Sequence, residues 1–204
     1  MRLLYGTTNP AKLSSMKQVL DKLSIDMIGL RDLNTRIPEV EETGNDPLEN
    51  AVLKAHTYYD TFHLPVFSCD SGLYFGDLSP DLQPGTHIRR VGRSLNDEEM
   101  TAYYANLARI HGGLLTGRYK NAICLILDPE HIYQSIDESL WTEPFLLTDT
   151  PHSKRVPGYP LDRLSLDIAT RKYYYDLPDR VVDSSAVHTG YYQFFRAHCH
   201  PEHR

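Results

Sequence analysis

Cysteine is scarce in this chain: Cys69, Cys124 and Cys199 are the only three in 204 residues. Three thiols do not make a disulfide framework, so the expectation is a protein of the reducing cytoplasm. Long apolar runs are missing as well, and no stretch approaches the roughly 18 residues that span a bilayer. The apolar part of Met1–Gly6 is too short for a signal peptide. There is no internal repeat and no low-complexity linker. An excess of positive charge is also missing, since 21 basic against 27 acidic side chains leave a formal charge of −6. A protein that grips duplex phosphates needs the opposite balance, so neither a nucleic acid nor a membrane is expected as partner. A small phosphorylated ligand held by a few local cations remains compatible with that charge.

What is present fits a folded domain. A hydrophobic share of 41% beside 24% charge is ordinary for a globular chain. The length suits one large domain, or one with a small lobe, and buries roughly 70% of the unfolded surface. Arg2–Gly6 reads as a short strand ending in the polar loop Gly6-Thr7-Thr8-Asn9-Pro10. Leu13, Met16, Val19, Leu20 and Leu23 then recur at helical steps, with Pro10 in the first turn and Asn9 or Thr8 as cap. Ile25–Leu30 reads as a strand, about Asp46–Phe62 as a helix, and Pro65–Cys69 as a buried strand ended by the turn Asp70-Ser71-Gly72. Asn96–His111 is a third helix, Tyr119–Leu127 and Ile132–Leu140 are strands, and Tyr173–Tyr175 a short strand. Asp179–Ala197 is a last helix, and 198–204 a loose histidine-rich tail. Strands alternating with helices predict an α/β fold.

Three segments carry chemistry. In the first loop, Thr7, Asn9 and Lys12 surround a helix N-terminus, where free amides and the helix dipole attract anions. In the second, Glu42 is an oxygen ligand of the type Mg²⁺ prefers. Asn50 and Lys54 share one helix face, so Lys54 is expected to address the same phosphate as Lys12. In the third, Asp70 follows an apolar strand at its carboxyl end, the edge where open α/β sheets bind ligands. A carboxylate there holds a metal or takes a proton from an attacking water. Each segment alone also suits a plain capped helix, a solvated acidic loop or an ordinary turn.

Together the segments resemble one family. Thr7-Thr8-Asn9-Pro10-Ala11-Lys12, Pro38-Glu39-Val40-Glu41-Glu42-Thr43-Gly44, Glu49-Asn50-Ala51-Val52-Leu53-Lys54-Ala55, then Leu64-Pro65 and Asp70-Ser71-Gly72-Leu73 stand in the order of the inosine/xanthosine triphosphate pyrophosphatases. The likeness covers about the first 110 residues, through Pro84-Gly85 and Arg89-Arg90-Val91-Gly92. It implies a long curved mixed sheet flanked by helices, in two lobes with a central cleft, over residues 1–197. It implies Mg²⁺-dependent hydrolysis of a non-standard purine nucleoside triphosphate to the monophosphate and pyrophosphate, by a homodimer. By the same resemblance Thr7, Asn9, Lys12 and Lys54 bind the triphosphate, with Ser71 beside the phosphates. Glu42 and Asp70 hold the metal, and Asp70, Lys12 and Lys54 serve catalysis.

The chain also departs from that pattern. Cys69 stands where the family has a second acid, and a thiol is a poor ligand for a hard cation. A thiol beside the metal site would make activity redox-sensitive. Ser15 replaces a glutamate. The base-reading segment becomes Val156-Pro157-Gly158-Tyr159-Pro160-Leu161-Asp162, in which Tyr159 is expected to stack on a purine ring. Near the last helix His188 keeps its place for substrate binding, while Asp183, Val187 and Thr189 replace the lysine, serine and arginine of the family. By loop position, Lys154, Arg155 or Arg163 is the candidate to substitute for the missing cations. His198, Cys199, His200 and His203 suit a transition metal by residue type. Two other readings stay open: a non-catalytic nucleotide-binding protein on the same fold, and a pyrophosphatase for another modified nucleotide, such as a pyrimidine.

Overall fold

The computed structural model describes residues 1–91, 93–177 and 185–199. The chain divides into two compact units. The first holds Met1–Ser71, Lys120–Trp141 and the segment from Ser185 on; the second holds Gly72–Tyr119 and the remainder.

In the first unit, strand β1 (Arg2–Tyr5) leads to helix α1 (Pro10–Leu20), and β2 (Asp26–Gly29) pairs parallel to β1. Helix α2 (Pro47–Phe62) precedes β3 (Val66–Phe75), which pairs parallel to the other side of β1. Both helices start where side chains satisfy the first free amides. The Asn9 carboxamide oxygen accepts from the Ala11 and Lys12 amides, and the Asp46 carboxylate accepts from those of Leu48 and Glu49. Pro10 and Pro47 take the first turn, where no backbone N–H is needed.

These strands are apolar at consecutive positions because both faces are covered. Leu3, Tyr5, Phe67 and Cys69 pack in one core with Met16, Val19 and Leu20 of α1 and Val187, Tyr191 and Phe195 of α4 (Ser185–Cys199). Leu4 and Val66 pack in another with Ala51, Ala55 and Tyr58 of α2. Phe195 is fully buried and meets Phe67 edge to face at 4.9 Å. A phenylalanine so placed is worth about 3–5 kcal/mol against alanine.

In the second unit, β4 (Arg90–Val91) and β5 (Arg93–Ser94) form a small antiparallel ribbon ahead of α3 (Asp97–Ile110). Asn96 and Glu99 cap α3 reciprocally, side chain to backbone. Its Met100, Tyr104 and Leu107 pack with Leu73, Phe75, Leu115, Phe145 and Leu147. The later part of strand β6 (Leu114–Asp128), Ile123–Asp128, belongs to the first unit and pairs antiparallel with β7 (His131–Ser135) there. In the second unit β6 pairs antiparallel with β8 (Phe145–Thr148) through Leu114–Gly117, and β8 with β9 (Ser165–Leu166). The main sheet runs β2-β1-β3-β6-β8-β9, with β7 on β6. The expected mixed sheet with flanking helices is therefore the one found.

Several boundaries differ from the sequence reading. β3 continues through Asp70-Ser71-Gly72, so no turn ends it there. Ile132–Leu140 is a short strand followed by a 3-10 turn at Glu138–Leu140, and Tyr174–Asp176 is a 3-10 turn instead of a strand. His198 and Cys199 belong to α4, and His198 stacks on Tyr133 at 4.0 Å, so the tail does not begin at 198. The expectations for 178–184 and 200–204, including Asp183, His200 and His203, lie outside the described residues.

Helix α4 rests on the Glu138–Leu140 turn through Gly190, where an added Cβ would collide with the Ser139 carbonyl. Elsewhere in a helix, alanine for glycine gains about 1 kcal/mol. Here the obstacle is backbone, which cannot rotate away. Gly190→Ala is therefore expected to lose about 1–3 kcal/mol. Thermal unfolding should show this as a Tm drop of roughly 2–4 °C per kcal/mol; an unchanged Tm would contradict the close approach.

Candidate active site

The site grows from the far end of β3. Its register with β1 stops at Tyr5–Phe67, so the following residues project past the carboxyl end of that parallel neighbour. Side chains alternate along a strand, and Val66 faces α2, so Asp70 faces the same way. Helix α2 meets it with Asn50 and Lys54, one turn apart.

The Lys54 ammonium donates to Asp70 Oδ1 at 2.7 Å and to Glu42 Oε1 at 2.9 Å. Asn50 Nδ2 donates to Asp70 Oδ2 at 3.2 Å, and Asn50 Oδ1 accepts from the Gly44 amide at 2.8 Å. The loop bearing Glu42 is thus tied to α2, and α2 to the strand. Lys54, Asp70 and Asn50 are buried. Burial works against the ammonium, but Asp70 and Glu42 outweigh it and hold Lys54 above its ordinary range. Lys54 is therefore a fixed cation at neutral pH and no proton acceptor.

The first loop lies at the carboxyl end of β1. Thr7 Oγ1 accepts from the Asn9 amide at 3.2 Å, and Asn9 Oδ1 caps α1. Lys12 is half-buried in the first turn of α1. Its charge and that of Lys54 both act on the Cys69 thiol, so the two lysines approach the same end of β3. Lys54, Glu42 and Asp70 are thus in direct contact, and Lys12 is close enough for its charge to act on Cys69, the neighbour of Asp70 in the chain.

Other expected residues have different company. The Ser71 hydroxyl donates to Asn121 Oδ1 at 2.7 Å, and Asn121 Nδ2 donates to the Leu140 carbonyl at 2.7 Å. Sequence reasoning missed Asn121, which stands between Lys120 and the apolar run Ala122–Leu127, where nothing in the sequence marks it as buried. His188 Nε2 lies 2.8 Å from the Ser15 hydroxyl, so the serine that departs from the family pattern meets the histidine that keeps it. Burial, with Lys22 nearby, lowers the His188 pKa, leaving the ring neutral at pH 7. Tyr159 belongs to the second unit and is 45% exposed.

The substitute cations are already engaged. Arg155 and Arg163 both pair with Glu98, and Lys154 lies 4.9 Å over the Tyr175 ring. The redox expectation for Cys69 is corrected. Its thiol is buried in the α1–α4 core, in hydrogen-bond contact with Tyr5 and Tyr191, and burial pushes its pKa up to about 11. A neutral buried thiol is inert. A thiol reagent on the folded protein is expected to spare Cys69 and Cys124, reacting with them only after unfolding. Mass mapping that found Cys69 modified at neutral pH in the native state would refute this.

Among the described residues no three His, Cys, Asp or Glu side chains cluster as a metal site, which leaves the transition-metal reading of His198 and Cys199 without support there. Glu42 and Asp70 still suit Mg²⁺, which binds through one or two carboxylates and completes its shell with water and phosphate oxygens. The two carboxylates already share one positive charge, that of Lys54.

Comparison with known proteins places this arrangement. The model of the Ham1 family matches residues 3–139. A dITP/XTP pyrophosphatase of Aquifex aeolicus is 39% identical over 90 residues, 44% of this chain and 42% of the relative. One of Symbiobacterium thermophilum is 29% identical over 126 residues, 62% and 61% of the two chains. The chain thus spans about half the length of the curated relatives it matches. Among solved structures, a HAM1 protein from Coxiella burnetii superposes with a TM-score of 0.75 at 18% identity, covering 97% of each chain. The Ham1 protein of Staphylococcus aureus gives 0.73 at 17%, covering 97% of this chain and 99% of that one. With two thirds of its length matched by the family model and the fold shared throughout, this chain belongs to the Ham1 family.

Proposed function

We propose that this protein hydrolyses a non-standard purine nucleoside triphosphate between its α and β phosphates, releasing the monophosphate and pyrophosphate. The observation that carries the reading is the Glu42–Lys54–Asp70 array, in which the buried Lys54 of α2 joins the partly exposed Glu42 of a loop to the buried Asp70 of β3. Matched relatives named dITP/XTP pyrophosphatases support it. Thr7, Asn9 and the α1 amides orient the polyphosphate, and Lys12 and Lys54 neutralise its charge. Asp70 takes the proton of the attacking water. Glu42 and Asp70 are the residues that would hold Mg²⁺, which would supply positive charge to the phosphoryl oxygens. His188 and Tyr159 contact the nucleoside. The low thiol count supports a reducing cytoplasm, and the family resemblance supports a homodimer.

A second reading, a nucleotide binder without turnover, has one observation in its favour: both Asp70 oxygens already accept a hydrogen bond. Each carboxylate oxygen has two acceptor sites, so capacity remains for a water. A panel of purine and pyrimidine triphosphates with Mg²⁺, read for pyrophosphate and for phosphate, tests the choice. Pyrophosphate from a purine triphosphate is expected. Release of single phosphates, or binding without any product, would overturn the proposal, and preference for a modified pyrimidine would reassign the base.

A further inference from the structure

The loop bearing Tyr159 is held by charge. Gly158, before it, donates its amide to Asp97 Oδ2 at 2.7 Å, while Arg89 donates to Asp97 Oδ1 at 2.9 Å. Pro160, after it, accepts from the Thr101 hydroxyl at 3.3 Å. Arg155 and Arg163, at the two ends of the loop, converge on Glu98: Arg155 Nη1 donates to Oε1 at 2.8 Å, and Arg163 Nη1 lies 3.2 Å from Oε2. Arg163 also donates to the His152 carbonyl at 3.0 Å. Asp97, Glu98 and Thr101 all sit in the first turns of α3.

Apolar packing holds only the far part of this segment: Pro160 is buried, and Leu161 and Leu164 lie in the core with Met100, Tyr104 and Leu107 of α3. Pro157, Gly158 and Tyr159 are exposed, beside a cavity of about 180 Å³ lined by Asp97, Glu98, Thr101, Arg155 and Arg163 among others. At this exposed tip the polar tethers fix the position. Asn96 and Glu99 already cap α3, so Asp97 and Glu98 are not needed to start the helix.

We infer that Asp97 and Glu98 are positioning residues for substrate specificity: they hold the Tyr159 loop in the geometry that receives the nucleotide base, without touching the nucleotide. This rests on the reading of Tyr159 as a base-contacting residue. Releasing a tether lets the loop sample other positions, and affinity falls by the fraction of molecules still holding the competent one. The polyphosphate contacts, made by other residues, stay as they are.

The test compares Asp97→Ala, Glu98→Gln and Tyr159→Ala with the wild type. Asp97→Ala and Glu98→Gln are each expected to raise KM for the preferred nucleoside triphosphate on the order of 10-fold, with kcat within about twofold. The inhibition constant of inorganic tripolyphosphate, which has no base, should not move. Glu98→Gln leaves the buried Arg163 with a weaker partner, so Asp97→Ala keeps the test valid if that variant loses stability in thermal unfolding. Tyr159→Ala separates the two claims. If it raises KM while both α3 variants match the wild type, the inference fails and the reading of Tyr159 stands. Should Tyr159→Ala leave KM unchanged, the reading itself fails and takes the inference with it. A parallel loss of kcat and of tripolyphosphate affinity in the α3 variants would show general disruption, and would also overturn the inference.

Discussion

Asp70→Asn is expected to lower pyrophosphate release by about 10²- to 10⁴-fold, the usual contribution of a positioned proton acceptor. The change is isosteric, but an amide has one acceptor oxygen and one donor NH₂ where the carboxylate has two acceptors. Lys54 and Asn50 both donate to Asp70, so one of them must lose its partner in the variant. Lys54 keeps Glu42, which limits the structural damage. Triphosphate binding should therefore survive within a few-fold, carried by Lys12, Lys54 and the first loop. The measurement pairs steady-state pyrophosphate release with nucleotide affinity from calorimetry. Wild-type turnover in the variant would remove Asp70 from the chemistry. Wild-type-like folding with both binding and turnover lost would make it a binding group instead.

Lys54→Met should have the largest effect on stability. It removes the cation shared by Glu42 and Asp70 and leaves two carboxylates facing each other. Breaking a buried ion pair from one side costs about 3–5 kcal/mol, because the remaining charge is uncompensated. The lower end applies here, since the Glu42 side chain is 38% exposed and can turn to water. The sign with pH follows from the raised Lys54 pKa. Its contribution is full below the unfolded value of 10.5, and is lost as pH rises through the higher folded value. Urea unfolding should show a wild-type advantage near pH 7 that shrinks above about pH 10.5. Equal stability of the two proteins at pH 7 would mean that the array is not electrostatically coupled. Activity should fall as well, since the variant lacks a cation for the triphosphate.

The stretch Asp70-Ser71-Gly72 shows how local cues mislead. Asp, Ser and Gly together suit a turn, yet β3 runs on through them to Phe75. Gly72 serves close approach: a Cβ there would lie 3.1 Å from the Gly85 backbone, beside the bridge that joins Leu73 to Gly85. Ser71 is anchored by Asn121, 50 residues away. Neither partner is visible in a window around Asp70. The Cys69 reading failed for a related reason. Adjacency to Asp70 in the chain suggested adjacency to the metal site, but strand alternation sends the thiol to the opposite face, among Tyr5 and Tyr191.

Local order was decided along the chain itself. The helical spacing of Leu13, Met16, Val19 and Leu20, the caps Asn9, Asp46 and Asn96, and the apolar strand before Asp70 act between near neighbours, so they can be read in short windows. The motif order, and with it the family, belongs to the same level. Charge partners belong to the tertiary structure. Arg155 and Arg163 looked available to a nucleotide, and packing gave both to Glu98, 57 and 65 residues away. The sequence places Lys54 on a helix face for phosphate, and the fold alone adds the two carboxylates, from a loop and a strand, that flank it. Coulomb energy depends on separation in space and on the surrounding dielectric, and both quantities exist only once the chain has folded.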